Sequence, residues 1–183
     1  MTITVSITEA DVFTVLGNFL TQVLPTGVAI VRGQVNRVPE PQGTNFVVMW
    51  PILTTRLEYN TDTYDSTAQT KSMLQPIQMD IQLDVHGPAS ADNSQIITTL
   101  MRDDYGTQSF TDICTALGAG IEVQPLYAGN RSQMPFMDGE QQVEERWIIQ
   151  VSLQANPVVV IPQQSATAVS VKLIEVDEAY PPV

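Results

Sequence analysis

The residues best suited to chemistry lie in MDIQLDVHGPASADNSQ, residues 79–95, which contains the only histidine of the chain. Asp80 and Asp84 precede His86 at even spacings, so an extended strand places all three side chains on one face. Carboxylates and imidazole are ligands of zinc, manganese and iron, and this grouping could serve a metal-dependent hydrolase. The solvent-exposed polar face of an ordinary strand, ending at Gly87-Pro88, accounts for the same residues without chemistry and is the preferred interpretation.

Other catalytic and cofactor motifs are missing from the sequence. It has no HExxH zinc motif, no GxSxG nucleophile elbow and no GxGxxG or GxxxxGK[ST] phosphate-binding loop. A single cysteine, Cys114, excludes an internal disulfide and a CxxC zinc site, and it falls in a predicted helix where it is expected to be buried. We therefore expect a protein that is not an enzyme and that binds neither a metal nor another cofactor.

Charge limits the possible partners. Twenty acidic and eight basic residues give a net charge of −12, and the basic residues are scattered singly along the chain. Without a basic stripe the protein is not expected to grip DNA, whereas an acidic surface would let DNA slide past without sticking. Solubility alone accounts for the same acidity equally well. The N-terminal sequence lacks the features of a signal peptide, and no apolar run reaches the roughly 20 residues of a membrane span. We expect synthesis in a cytoplasm-like setting and no contact with a membrane.

The helix pattern is clear at three places. Residues 8–25 alternate apolar side chains at helical spacing, with Thr8 as the predicted N-cap and Pro25 at the end. Ser90 is predicted to cap a second helix, in which Ile96, Ile97, Leu100 and Met101 form an apolar stripe. A third helix, SFTDICTALG, is predicted to end at Gly118.

Strand-like segments occupy most of the remaining sequence. They are residues 27–33, 46–59, 72–86, 121–127, 144–155, 156–162 and 166–178, and Pro51 predicts a bulge or an edge position. Loops are predicted at NRVPEPQGTN, NTDTYDST and AGNRSQMPFMDGEQQ. The expected fold is α+β: a mostly antiparallel sheet packed by an N-terminal helix and a central helix pair, with extended loops or arms. Residues 1–178 would form one domain and residues 179–183 a flexible tail.

Three long segments resemble the phage neck terminator family of contractile-tailed bacteriophages. They are VRGQVNRVPEPQGTNFVVMWPI, MDIQLDVHGPASADNSQIITTLMRDDYGTQSF and PLYAGNRSQMPFMDGEQQVEERWIIQVSLQANPVVVIP. The resemblance implies a virion structural protein that forms a ring of six copies at the head-proximal end of the tail. Such a ring terminates the tail tube and sheath, joins them to the head connector and leaves a channel for genomic DNA.

Loop character and composition suggest three contact segments in such a ring. Residues 37–44, 59–70 and 132–142 are the candidates, and their most promising residues are Arg37, Pro39, Pro41, Tyr59, Tyr64, Met134, Phe136 and Met137. Asp62, Asp65, Asp80 and Asp84 are the candidates for lining the channel. The alternative from another class of protein remains the hydrolase built on Asp80, Asp84 and His86.

Overall fold

The computed structural model describes residues 3–33, 41, 43–137 and 143–164. Its helices are α1 (Glu9–Val23), α2 (Ser90–Leu100) and α3 (Asp104–Leu117). Its strands are β1 (Thr4–Val5), β2 (Ala29–Arg32), β3 (Phe46–Arg56), β4 (Thr61–Asp65), β5 (Thr70–Leu74), β6 (Ile77–His86), β7 (Val123–Ala128), β8 (Ser132–Gln133), β9 (Phe136–Met137), β10 (Val143–Glu144), β11 (Arg146–Ala155) and β12 (Val158–Pro162).

The first sheet has the strand order β2-β3-β6-β11-β7, and β8 also pairs with β11. All of its pairs are antiparallel except β2 with β3. The helices pack on this sheet: α1 contacts β2 and α3, α2 contacts β6 and β11, and α3 contacts β7. The core lies between this helical layer and the sheet and includes Phe19, Phe110, Ile81, Leu83 and Ile149, all fully buried. The predicted α+β fold with a mostly antiparallel sheet is confirmed.

Helix α1 forms as its sequence predicts. The Thr8 hydroxyl accepts a hydrogen bond from the Asp11 N–H, and the Asp11 carboxylate accepts one from the Thr8 N–H at 2.7 Å. This reciprocal capping box satisfies two donors that the first helical turn would leave without partners. Its apolar stripe is buried against the sheet and α3, and the helix ends before Pro25, which cannot donate to the helical ladder.

A second sheet, four-stranded with the order β1-β12-β5-β4, extends from the first. The backbone joins the two sheets, since the Leu57 N–H donates to the Pro76 carbonyl and the Gln75 N–H donates to the Pro157 carbonyl. The chain thus runs from β3 into β4, from β5 into β6 and from β11 into β12 along neighbouring paths. We keep the name "second sheet" for these four strands; β9 and β10 form a separate two-stranded ribbon.

Proline explains one prediction that is confirmed and one that is wrong. The register of β3 against β6 shifts between Pro51 and Leu53, which is the predicted bulge. Residues 72–86, however, are not one strand, because β5 ends at Leu74 and β6 begins at Ile77. Pro76 has no N–H to donate and restricts the residue before it, so the ladder breaks there although the apolar alternation continues.

The segment NTDTYDST is not the predicted turn or mobile loop. Its residues 61–65 form β4, which pairs with β5 over its full length, and the Asp65 carboxylate accepts the N–H groups of Thr67 and Ala68 in the following turn. All residues of β4 are exposed, so no apolar alternation marks the strand, and only its pairing with β5 shows it. Similarly, the predicted irregular loop after β7 contains the short strands β8 and β9.

Two helix starts differ from the predictions. Ser90 is the first residue of α2 and is fully buried, while Ala89 occupies the N-cap without a side-chain hydrogen bond. Helix α3 begins at Asp104, before the predicted segment, because the Asp103 carboxylate accepts the Tyr105 N–H; it ends at Gly118 as predicted. The predicted strand at 166–178 and the tail at 179–183 lie outside the described residues, so the single-domain boundary stays a prediction.

Candidate functional site

The polar residues of β6 lie in the middle of the first sheet and not on an open surface. β6 pairs with β3 on one side and β11 on the other. Ile81, Leu83 and Val85 face the core, so Asp80, Asp84 and His86 occupy the opposite face of the sheet. There Asp80 is 8% exposed and Asp84 only 3%, and His86 is buried as well. The expectation of a solvent-exposed face is therefore wrong.

Both carboxylates have partners within the sheet. Asp84 accepts a hydrogen bond from Arg146 at 2.6 Å and one from the Gln82 amide at 2.7 Å. Asp80 accepts hydrogen bonds from the Ser152 hydroxyl at 2.6 Å and from the Gln78 amide at 2.9 Å. Strand β11 and β6 itself thus supply the polar groups that a buried carboxylate requires. Asp80 and Asp84 are therefore buried and paired in the described chain, and their role in lining a channel stays a prediction.

The histidine ring is held by packing. His86 stacks on Phe46, with ring centroids 4.4 Å apart and planes inclined by 9°. Its Nδ1 lies 3.5 Å from a carboxylate oxygen of Glu144. Burial lowers the pKa of His86 below its ordinary value of 6.5, and nearby Arg146 lowers it further, whereas Glu144 and Asp84 oppose the shift. The neutral imidazole therefore suits this position, where it packs against an aromatic ring.

The hydrolase alternative receives no support from this arrangement. Within the part of the chain that the structure describes, no three His, Cys, Asp or Glu residues are grouped closely enough to hold a metal ion. The two carboxylates are already bound by donors from their own sheet. The geometry favours a structural role, in which a ladder of polar side chains ties β6 to β11.

The second sheet is the more informative surface. Every extensive contact between a helix and a strand involves the first sheet, and none of the described helices packs across the second. All five residues of β4 are exposed, whereas the first four residues of β12 are partly buried and Pro162 is exposed. Because domains bury their sheets between layers, a single-layered sheet with apolar side chains is a surface that a partner is expected to cover.

Several predicted contact and channel residues lie on or beside the second sheet. Tyr59 is 91% exposed where the chain leaves the first sheet, and Tyr64 is exposed on β4. Asp62 forms a 2.6 Å ion pair with Lys71 on β5, and Asp65 closes the turn after β4. All four side chains are accessible, and their roles in contact or in lining a channel stay predictions.

The other predicted contact residues are scattered. Arg37 and Pro39 lie outside the described residues, and Pro41 is half-buried. Met134 precedes β9 and Met137 lies in it beside Phe136, and both methionines are exposed. The roles of these residues in contacts between copies stay predictions.

Sequence reasoning missed the strand β1. Its Val5 is 47% exposed, and the preceding Ile3 is 66% exposed. The alternation of apolar and hydroxyl residues in TITVSI is the available signal, but β1 is only two residues long and lies directly before the first helix. Among the described residues, no helix is long and apolar enough to cross a membrane.

Comparisons with known proteins complete the description of the site. A family model described as phage neck terminator protein matches residues 10–178. No curated protein matches the chain. Among 21 matching chains of solved structures is the cryo-EM structure of a sheath/tube terminator from an extracellular contractile injection system, PVC, in the extended state. That likeness has 14% identity and a TM-score of 0.46, and it covers 92% of this chain but only 64% of the other, less than two-thirds of its length.

The family match extends over most of the sequence, from the first turns of α1 to beyond β12. It includes the whole first sheet and all of the second sheet except β1. The chain therefore belongs to the phage neck terminator protein family, a family of structural tail-terminating proteins and not of enzymes.

Proposed function

We propose that this chain forms a closed ring at the head-proximal end of a contractile phage tail. The ring would terminate the tail tube and sheath, receive the head connector and leave a channel for the genome. The observation that carries the proposal is the single-layered second sheet in a chain of this family. A sheet that exposes apolar side chains and is covered by no described helix needs partners, and an assembly of copies supplies them.

The negative charge of the chain supports the proposed channel for DNA. With a net charge of −12 on each copy, a ring presents a negative potential that repels the phosphate backbone and lets DNA pass without adhering. Asp62 and Asp65 are the exposed candidates for this surface, since both lie on β4. The partners of the ring would be tube and sheath subunits on one side and connector proteins on the other. We propose six copies, assembled in the host cytoplasm and retained at the neck of the virion.

The proposal is tested by electron microscopy of lysates from a phage with an amber stop codon in the gene for this chain. We expect filled heads separate from tails, and tails that are unjoined or overlong, because nothing ends the tube or accepts the connector. The wild-type gene supplied on a plasmid should restore joined particles. Joined particles of normal tail length in the non-permissive host, without the plasmid, would refute the proposal.

A further inference from the structure

The second sheet has two open edges. Its order is β1-β12-β5-β4, and among the described residues no strand lies beyond β1 or beyond β4. An edge strand keeps a row of N–H and C=O groups free to pair with another chain. We propose that β4 of one copy pairs with β1 of a second copy, so that the second sheet continues from subunit to subunit. The inference rests on the proposed ring, and it names the edges through which the copies meet.

Strand direction makes the two edges complementary. Each neighbouring pair in the second sheet is antiparallel, so β1 and β4 run in opposite directions. When a second copy is laid beside the first in the same orientation, its β1 meets β4 as an antiparallel neighbour and the alternation continues. The contact joins two different edges and leaves each copy with one more edge to offer. Such a heterologous contact closes a ring when the rotation between copies permits it.

Side chains on one face of the sheet match across this contact. Tyr64 on β4 lies opposite Lys71 on β5, which in turn lies opposite Ile161 on β12. Val159, two residues before Ile161, faces the same way and lies opposite Val5 on β1. Val5 and Tyr64 therefore share one face of the second sheet. Tyr64, at the β4 edge, and Val5 with Ile3, at the β1 edge, are all exposed. Pairing β4 with a neighbour's β1 brings the aromatic ring beside a β-branched side chain, a favourable cross-strand pair, and covers both.

Charge selects β1 as the partner of β4. Asp62 and Asp65 make β4 acidic, whereas Ile3, Thr4 and Val5 carry no charge. If β4 paired with β4 of a second copy, the carboxylates of both chains would lie on adjacent strands, and like charges there are destabilising. Such a symmetric contact would also close a dimer instead of a ring. The uncharged β1 edge avoids both outcomes.

Disulfide cross-linking tests the contact in assembled particles. Two double variants, Val5→Cys with Tyr64→Cys and Ile3→Cys with Tyr64→Cys, cover the two registers in which Tyr64 meets β1. Both variants also carry Cys114→Ala, which removes the buried native thiol. Within one chain β1 and β4 are three strand spacings apart, about 14 Å. That distance exceeds the roughly 7 Å reach of a disulfide, so any cross-link joins two copies.

Three further variants complete the design. Val5→Cys with Thr63→Cys is the matched control, because Thr63 lies on the opposite face of β4 from Tyr64. Tyr64→Cys alone reports contact between two β4 strands. If loss of the tyrosine prevents assembly, Asp62→Cys takes the place of Tyr64→Cys in both double variants, because Asp62 lies on the same face of β4 as Tyr64. Each variant is supplied on a plasmid to the amber phage, and purified particles are mildly oxidised and separated on a non-reducing gel.

We expect at least one same-face pair to give a ladder of multimers that ends at the copy number of the ring. The opposite-face control and the single variant should remain monomeric. Monomers from every same-face pair, in joined particles that contain the chain, would overturn the edge pairing and leave the proposed function intact. Dimers from Tyr64→Cys alone would also overturn it in favour of β4–β4 contact. The proposed function itself is tested separately, and it fails if heads and tails join without the chain.

Discussion

At Asp84 a carboxylate almost removed from water meets the guanidinium of Arg146 across the β6–β11 ladder. Removal of one partner from such a pair leaves a buried charge without compensation, and this lowers the free energy of unfolding far more than removal of an exposed ion pair does. The same contact explains why residues that look catalytic in the sequence stabilise a sheet here. An Asp-x-x-x-Asp-x-His spacing specifies a shared face, but the neighbours of that face come from strands that are distant in sequence.

The Asp84–Arg146 pair gives a prediction for stability. Arg146→Met should lower the free energy of unfolding by about 3 kcal/mol, because Asp84 would keep its charge without a cationic partner. The matched control is Lys71→Met, which breaks the more exposed Lys71–Asp62 pair and should cost about 1 kcal/mol or less. Urea unfolding of the purified variants measures both. Equal losses for the two substitutions would contradict this account of β6.

His86 gives a prediction for pH. Its pKa is lowered in the folded chain by burial, so the unfolded chain takes up a proton first as the pH falls below 6.5. More protons bound to the unfolded state mean that the free energy of unfolding decreases as pH falls in this range. His86→Gln removes this contribution, and because the chain has one histidine no other imidazole contributes. Between about pH 7 and pH 5 the wild type should lose stability more steeply than the variant. If the free energy of unfolding depends on pH equally in the wild type and in His86→Gln, folding does not lower the pKa of His86 and the account is contradicted.

Among the secondary-structure elements, α1 was predictable because its signals are local. The Thr8 cap, the apolar stripe and Pro25 all lie within one segment. β4 was not predictable, because its residues are all exposed and only pairing with β5 makes them a strand. The break between β5 and β6 was marked in the sequence by Pro76, but the continuing alternation masked it. Which strands become neighbours depends on contacts far apart in sequence, and these leave no local pattern.

The capping box of α1 can be tested on its own. Thr8→Ala should lower the free energy of unfolding by about 1 kcal/mol, because it removes the acceptor for the Asp11 N–H. Thr14→Ala in the same helix is the control. The Thr14 hydroxyl donates only to the Ala10 carbonyl inside the helix, and alanine has the higher helix propensity, so we expect no loss. Thermal unfolding monitored by circular dichroism compares the two variants. A larger loss for Thr14→Ala would contradict the capping account.

At the scale of the whole molecule, the two sheets differ in how they are packed. The first sheet and its helices form the buried core of one chain, whereas the faces and edges of the second sheet are the surfaces that we propose contact other chains. The sequence indicated the class of protein through composition, through the lack of catalytic motifs and through its resemblance to neck terminators. It did not indicate which surface is left uncovered, because exposure depends on how the layers stack and on partners that the sequence of one chain does not contain.

The central claim is that one ring of this chain ends the tail at the neck, and cryo-electron microscopy of intact particles tests it most directly. We predict density for the fold described here as a single ring between the head connector and the last layer of tube and sheath. In that ring the second sheet of each copy should contact its neighbour. Density for the chain repeated along the tube, or confined to the distal end of the tail, would contradict the account.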